Sequence, residues 1–146
     1  MSDRDEITAL VHRYAELLDS GQLSDVVALF SRATWRSARP GGSVVTLTAE
    51  EVRTTYDRVI LYSDGTPRTH HLITNLTIDL VDGAGAATAS CYFTVLQGID
   101  PGKPLEAILT GRYSDRFHKD DQGWYFVDRV FHADLIGDQS RHFRSH

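Results

Sequence analysis

The sequence has few cysteines and prolines and no long apolar run. It contains one cysteine, Cys91, and four prolines in 146 residues. A single cysteine excludes an intrachain disulfide framework and is typical of a reducing compartment. No apolar segment approaches the roughly 20 residues of a membrane-spanning helix. The acidic, polar start MSDRDEIT does not predict a signal peptide. We therefore expect a cytoplasmic protein with no membrane partner.

Basic residues are also scarce, and several common motifs are missing. Lys and Arg number 15 against 20 Asp and Glu, which gives a net charge of −5. No basic stripe runs along the chain, so a nucleic-acid partner is not expected. The short basic end RHFRSH is expected to be solvated. A Walker loop, a GxGxxG turn and a G-x-S-x-G elbow are absent. With 41% apolar residues, residues 1–146 are expected to form one domain with a substantial core.

Three N-terminal segments have helical periodicity. In the first, apolar residues recur every three or four positions up to Leu18. Asp19-Ser20-Gly21 then ends the helix, and Gly21 is suited to a left-handed cap. A second short helix is predicted from Leu23 to Phe30. The sequence Thr48-Ala49-Glu50-Glu51 is a capping box that begins a third helix.

From Arg68 onward the periodicity is that of strands. Four long strands are predicted, in the segments RTHHLITNLTIDLV, AATASCYFTVLQ, PLEAILTGRYSDRFHK and WYFVDRVFHADL. Two shorter strands are predicted earlier, at Thr34–Ala38 and in VVTLT. Helices followed by a run of long antiparallel strands indicate a segregated α+β fold.

Two adjacent histidines, His70 and His71, begin the first long strand. Successive strand residues point to opposite faces, so the two rings cannot share one role. The parity of His70 is shared by the apolar residues Leu72, Leu76, Ile78 and Leu80. The two-residue period alone therefore predicts that His70 faces the core and that His71 lies on the more polar face. That face can be solvent, a subunit interface or the wall of a pocket.

Other polar residues also allow two interpretations. Asp19 puts a negative charge at the negative end of a helix, which is expected either of a polar turn or of a functional site. Arg129 interrupts an apolar strand face and needs either an internal acid or an anionic ligand group. Cys91 is expected to be a buried, inert thiol. His132 and Asp134 share a face without a third ligand, so no metal site is predicted.

Three segments in order resemble the SnoaL-like family of the nuclear transport factor 2-like superfamily. They are YAELLDSGQLSDVVALFS, HHLITNLTIDL, and the ending GRYSDRF followed by GWYFVDRVFHADLIGD. The resemblance covers nearly the whole chain. It implies a cone-shaped α+β barrel, in which a curved, mostly antiparallel sheet wraps around N-terminal helices and leaves a deep pocket at its mouth.

Within that superfamily the pattern is similar to scytalone dehydratase and hexachlorocyclohexane dehydrochlorinase. The resemblance implies that Asp19 and His71 are the catalytic pair and that Asn75 completes an H-x-x-x-N pattern. Strand period alone places His70, and not His71, toward the core. The resemblance instead implies that His71 is the catalytic histidine and that His70 is dispensable. The second pocket histidine of the dehydratase is not matched, since Ser90-Cys91-Tyr92 occupies that place. Its tyrosine before the aspartate is replaced by Leu18.

The implied function is a cofactor-independent lyase or isomerase of the dehydratase, polyketide cyclase or isomerase type. A histidine with a carboxylate on its other nitrogen, and no placed nucleophile, favours proton abstraction from carbon. The expected substrate is a small apolar organic molecule that carries oxygen, with no cofactor and no metal. The residues expected to bind it are Tyr14, Trp35, Tyr56, Asn75, Tyr92 and Arg129.

The same fold also supports a different class of function. The alternative is a non-catalytic ligand-binding or structural subunit, such as the small subunit of a ring-hydroxylating dioxygenase. In either case, a broad apolar face with Trp124, Phe126 and Val130 on the last strand predicts a homodimer or homotrimer.

Overall fold

The computed structural model describes residues 1–81, 83 and 85–145. Within them it contains three helices and six strands. The elements in chain order are α1 (Asp3–Asp19), α2 (Leu23–Leu29), β1 (Thr34–Ala38), β2 (Val44–Leu47), α3 (Ala49–Asp57), β3 (Thr69–Val81), β4 (Ala86–Gln97), β5 (Glu106–Asp120) and β6 (Gly123–Ile136). Each corresponds to a predicted segment. Within the described residues, every helix is too short or too polar to cross a membrane.

Gly21 fixes the end of α1. Its φ is +78°, a left-handed conformation that glycine adopts without a Cβ penalty. The N–H of Gly21 donates to the carbonyl of Leu18 (3.0 Å) and that of Gln22 to the carbonyl of Leu17 (2.9 Å), which is a Schellman motif. A Cβ at Gly21 would lie 2.0 Å from the carbonyl oxygen of Gly65. The last residue of α1, Asp19, is therefore held in a defined position.

The six strands form one sheet in the order β2-β1-β6-β5-β4-β3. All neighbouring pairs are antiparallel except β1 and β6, which are parallel. The sheet is curved around the helices but does not close into a barrel. The predicted α+β class, with a mostly antiparallel curved sheet, is confirmed. The core lies between the helices and the concave face of the sheet.

A β-bulge in β3 changes which residues face the core. Thr74 pairs with Tyr92 and Thr77 with Ser90, so β3 carries one extra residue between these pairs. Asn75 lies in this bulge with φ +54°, a conformation that asparagine tolerates better than most residues. Thr69 and His71 face inward before the bulge, and the even-numbered residues from Leu76 onward are the more buried ones after it. The strand-period prediction that His70 faces the core is therefore wrong.

The apolar outer face predicted on β6 is not present, because this strand contains a second bulge. Phe117 pairs with Phe126 and Arg116 with Asp128, so β6 gains an extra residue at Val127. Phe126 is fully buried and packs against Phe30 and Phe117. It belongs to the intramolecular core and not to an exposed face. The continuous outer face predicted from Trp124, Phe126 and Val130 does not exist.

Residues 141–145 were predicted to be solvated, and the structure differs from that prediction. His142 is 3% exposed, and Phe143 forms a β-bridge with Val59. The N–H of Ile60 donates to the carbonyl of His142 (2.8 Å). Residues 141–145 therefore pack against the segment after α3, and the prediction of a solvated end is wrong for His142 and Phe143.

Candidate active site

A cavity of about 300 Å³ lies between the helices and the concave face of the sheet. Seven aromatic residues contribute to its walls: Tyr14, Trp35, Tyr56, Phe93, Tyr113, Phe131 and Phe143. Its polar groups include His71 and His142. A concave, largely apolar site with a few polar groups is the usual form of a small-molecule pocket.

Asp19 and His71 meet at the wall of this cavity. Nδ1 of His71 lies 2.6 Å from Oδ1 of Asp19. The side chain of His71 is 4% exposed and that of Asp19 is 18% exposed. The expected contact between the last residue of α1 and the start of β3 is therefore present, across 52 positions of the sequence.

Two further hydrogen bonds orient the Asp19 carboxylate. The backbone N–H of His71 donates to Oδ2 (2.7 Å), and the hydroxyl of Thr69 donates to Oδ1 (2.9 Å). A carboxylate only accepts hydrogen bonds when ionised, so Nδ1 of His71 is the donor in the third contact. In the neutral imidazole this leaves Nε2 unprotonated. Nε2 is thus the ring nitrogen available to a molecule in the cavity.

His70 lies on the other side of the sheet from His71. It is exposed and lines a more open groove of about 500 Å³ together with Asp64 and Arg68. The groove also reaches Asp19, and a more open surface depression next to Asp19 is lined by both His70 and His71. Of these two adjacent histidines, only His71 lines the aromatic cavity.

Three of the residues expected to bind substrate line the cavity. They are Tyr14, Trp35 and Tyr56. The hydroxyls of Tyr14 and Tyr56 are 2.9 Å apart and share a hydrogen bond. Burial raises the pKa of both phenols. Both therefore stay protonated at neutral pH and present hydroxyl groups to the cavity.

The other three predicted substrate-binding residues lie elsewhere. Asn75 forms the bulge of β3 and is exposed. Tyr92 is 53% exposed, because the cavity side of β4 carries its neighbours Cys91 and Phe93. Neither residue contributes to the cavity wall, and the prediction is corrected for both.

Arg129 is buried in the core and paired with an acid. Its Nε and Nη2 donate to the two carboxylate oxygens of Asp115 at 2.7 and 2.9 Å, and both side chains are at most 1% exposed. The guanidinium carbon lies 3.9 Å from the ring centre of Tyr113 and 4.5 Å from that of Tyr14. Of the two interpretations of Arg129, the structure shows the internal ion pair, and the substrate-binding prediction is corrected.

His142 is a cavity residue that the sequence did not indicate. It lines the cavity, and its ring centre is 6.4 Å from that of His71. Burial, with a contribution from the nearby His71, lowers the pKa of His142 to about 4. The only local signal was an aromatic neighbour, Phe143, in an otherwise polar segment. That signal is too weak to identify a buried residue.

Other reactive groups lie outside the cavity wall. Burial raises the pKa of the Cys91 thiol to about 11, so the thiol is protonated at neutral pH and a poor nucleophile. Among the described residues, no group of three or more His, Cys, Asp or Glu side chains is arranged to hold a metal ion. The titratable side chains at the cavity wall, among the described residues, are therefore histidines, tyrosines and Arg39, with the Asp19 carboxylate behind His71.

Comparison with known proteins agrees with this architecture. The family model described as a SnoaL-like domain matches residues 1–130. None of the curated proteins matches the chain.

Several solved structures are similar. A candidate scytalone dehydratase from Novosphingobium aromaticivorans is 22% identical, with 90% of this chain and 84% of that chain covered and a TM-score of 0.65. The beta subunit of a candidate aromatic-ring-hydroxylating dioxygenase from the same organism is 17% identical, with coverages of 94% and 93% and a TM-score of 0.70. An NTF2-like protein with a cystatin-like fold, also from this organism, is 21% identical, with coverages of 90% and 81% and a TM-score of 0.65. Identities this low show a shared fold. Together with the family match, they establish that the chain belongs to the SnoaL-like family and has the nuclear transport factor 2-like fold.

Proposed function

We propose that the protein is a cofactor-independent lyase or isomerase that removes a proton from carbon in a small, apolar, oxygenated molecule. His71 is the general base and Asp19 is its carboxylate partner. The observation that carries this proposal is the 2.6 Å contact between Nδ1 of His71 and Oδ1 of Asp19 at the wall of an aromatic cavity.

The geometry supports a mechanism in which His71 acts as a general base better than one in which a side chain attacks the substrate as a nucleophile. Asp19 holds the Nδ1–H tautomer, so the Nε2 lone pair is free to accept a proton. When His71 becomes imidazolium, the carboxylate stabilises the new charge. The cavity also contains the hydroxyls of Ser37 and Thr55. In the part of the chain that the structure describes, neither hydroxyl is hydrogen-bonded to His71, so neither is activated by it.

The cavity favours a compact molecule with apolar faces. A volume of about 300 Å³ lies at the small end of the range for ligand pockets. Seven phenylalanine, tyrosine and tryptophan side chains line the cavity and can pack against a planar carbon skeleton. The paired hydroxyls of Tyr14 and Tyr56 provide hydrogen bonds for a substrate oxygen.

Hydrogen–deuterium exchange tests this proposal before the physiological substrate is identified. Small cyclic ketones such as 1-tetralone and 2-tetralone are incubated with the protein in D₂O, and deuterium incorporation at carbon is measured by mass spectrometry. His71→Ala should lower protein-dependent exchange by about 10²–10⁴-fold, the usual contribution of a general base. His70→Ala is the matched control, because it removes the adjacent histidine from outside the cavity. Equal effects of the two variants would contradict the proposal.

A non-catalytic role is the second candidate. It is supported by the TM-score of 0.70 to the dioxygenase beta subunit. In that case the protein would bind a larger partner chain, and the hydrogen bond between Asp19 and His71 would only stabilise the fold. Wild-type protein that exchanges none of the ketones, and whose His71→Ala variant loses only stability, would favour this candidate.

We also propose that the chain assembles as a homodimer or homotrimer. Tyr92 and Leu72 leave 53% and 41% of their surface exposed on β4 and β3, and apolar groups on an open sheet face favour association. Sedimentation velocity should show an oligomer at micromolar concentration, and Tyr92→Lys should weaken it. A monomer in the wild type would refute this proposal.

A further inference from the structure

The last residues of the described chain form a strap across the cavity. Residues 137–145 leave β6 and cross to the segment that follows α3. The N–H of Ile60 donates to the carbonyl of His142 and that of Arg144 to the carbonyl of Arg58, both at 2.8 Å. The hydroxyl of Tyr62 donates to the carbonyl of Arg141 (2.5 Å). These bonds fix the backbone on both sides of His142.

The strap places the His142 ring at the cavity wall, where its ring nitrogens have no hydrogen-bond partner among the described residues. The residue is 3% exposed, and its Nδ1 is buried and unpaired among the described residues. Within that part of the chain, no hydrogen bond to Nε2 is found either. Buried polar side-chain atoms almost always have a hydrogen-bond partner. An uncommitted imidazole at a cavity wall is therefore a candidate to bind a ligand atom.

The position of His142 relative to His71 suggests one molecule that contacts both. Their ring centres are 6.4 Å apart with an angle of 56° between the ring planes. A molecule in the cavity beside the two rings can therefore place a carbon acid within about 3 Å of one ring and the neighbouring carbonyl oxygen within about 3 Å of the other. Because Nδ1 of His71 donates its hydrogen to Asp19, Nε2 is the nitrogen of His71 that can accept a proton. In the described part of the chain His142 has no carboxylate partner, so one of its ring nitrogens can donate an N–H to a ligand.

We propose that His142 donates a hydrogen bond to the oxygen of a carbonyl substrate whose α-carbon faces His71, which makes the substrate an enolisable ketone or related carbonyl compound. This proposal rests on the function proposed above and specifies its substrate class.

The electron movements of this step are balanced. Nε2 of His71 takes the α-proton, and the electron pair of the C–H bond forms the carbon–carbon double bond of an enolate. The carbonyl π pair moves to oxygen, which accepts the hydrogen bond from His142. If the enolate is conjugated to a further carbon–carbon double bond, return of the proton to the γ-carbon gives isomerisation. If the β-carbon carries a leaving group, that group departs with the electron pair of its own bond to carbon while the carbonyl re-forms, which gives elimination.

Electrostatics keep the two histidines in different roles. Burial and, to a smaller extent, the nearby His71 lower the pKa of His142 to about 4, while Asp19 acts in the opposite direction. His142 therefore stays neutral when His71 gains a proton. A neutral imidazole that polarises a carbonyl is an established catalytic device.

Binding of 2-naphthol tests the hydrogen bond, because its hydroxyl resembles an enol while naphthalene has the same rings without oxygen. Affinities for both probes are measured by fluorescence, and the ring ¹⁵N resonances of labelled histidines are followed by NMR. We expect 2-naphthol to bind wild type more tightly than naphthalene and to shift the His142 resonances. His142→Leu should weaken 2-naphthol binding about tenfold and leave naphthalene binding unchanged. His142→Gln, which keeps a neutral N–H donor, should restore most of the affinity.

Each other outcome overturns the assignment. No binding of 2-naphthol to wild type, equal affinity for both probes, unshifted His142 resonances, or a parallel loss of both affinities in His142→Leu would show that His142 does not donate to the ligand. If His71-dependent exchange of ketone protons persists in any of these cases, the proposed function stands and only the role of His142 fails.

Discussion

Replacing Asp19 with asparagine should reverse the tautomer of His71. The backbone N–H of His71 can only donate, and it points at Oδ2 of Asp19 from 2.7 Å. The amide oxygen of the introduced side chain must therefore occupy that position, which places its NH₂ group where Oδ1 now lies, 2.6 Å from Nδ1 of His71. Nδ1 then has to accept, so the proton of the neutral ring moves to Nε2. The cavity would receive an N–H in place of a lone pair.

The size of the effect follows from this geometry. A base with its lone pair on the wrong nitrogen should lose activity by about 10⁴-fold, as in the comparable triad substitution. The stability cost should be far smaller. Hydrogen bonds to a carboxylate contribute about 1.5–3 kcal/mol each and neutral ones about 0.5–1.5 kcal/mol. The backbone N–H of His71 can still donate to the amide oxygen. The contacts with Nδ1 of His71 and the hydroxyl of Thr69 can re-form with the new NH₂ group as the donor. We therefore expect a loss of roughly 1–3 kcal/mol in the free energy of unfolding.

Two measurements check this prediction together. Ring ¹⁵N shifts identify the protonated nitrogen of His71, and deuterium incorporation into ketones reports activity. Glu16→Gln, an exposed change one turn earlier in α1, is the matched control and should change neither. Full activity of Asp19→Asn, or an Nε2 that remains unprotonated with activity lost, would refute the tautomer argument.

Two further predictions concern buried charged and titratable groups. His142 has a pKa of about 4 in the fold against about 6.5 when unfolded, so the unfolded chain binds one more proton between these values. The free energy of unfolding should therefore fall by about 3 kcal/mol as the pH is lowered from 6.5 to 4; urea titrations should show a shallower fall in His142→Gln, and an unchanged slope would refute this. Asp115→Asn should destabilise the fold by about 3–5 kcal/mol, because it leaves the Arg129 guanidinium buried and unpaired. The double variant Asp115→Leu/Arg129→Met should recover much of that loss in the same titrations, whereas additive losses would contradict the reasoning.

Local sequence signals were sufficient for the secondary structure. The capping box predicted at Thr48-Ala49-Glu50-Glu51 is present at the start of α3, and Gly21 ends α1 as its position suggested. These features depend on residues within one or two turns of each other. Hydrogen bonds to a helix end and the preference of glycine for positive φ need no knowledge of the rest of the chain.

The candidate site was only partly accessible from the sequence. Resemblance to a family predicts the pair Asp19 and His71, whereas strand period alone predicts that His70 faces the core. Tyr14, Trp35 and Tyr56 were selected as aromatic residues, and all three line the cavity. Arg129 was left between two interpretations, because one strand cannot show whether an acid such as Asp115 on the next strand faces it.

The sequence by itself determined the order and type of the elements, and the tertiary structure decided which side chains meet. In β3, period two predicts one face for the whole strand, but the extra residue at Asn75 reverses the faces. Whether a strand bulges depends on its pairing with β4, which is a long-range property. His142 reaches the cavity for the same kind of reason, since backbone bonds to residues 58–60 hold it there. Contacts between distant segments fix both features, and no local pattern encodes them.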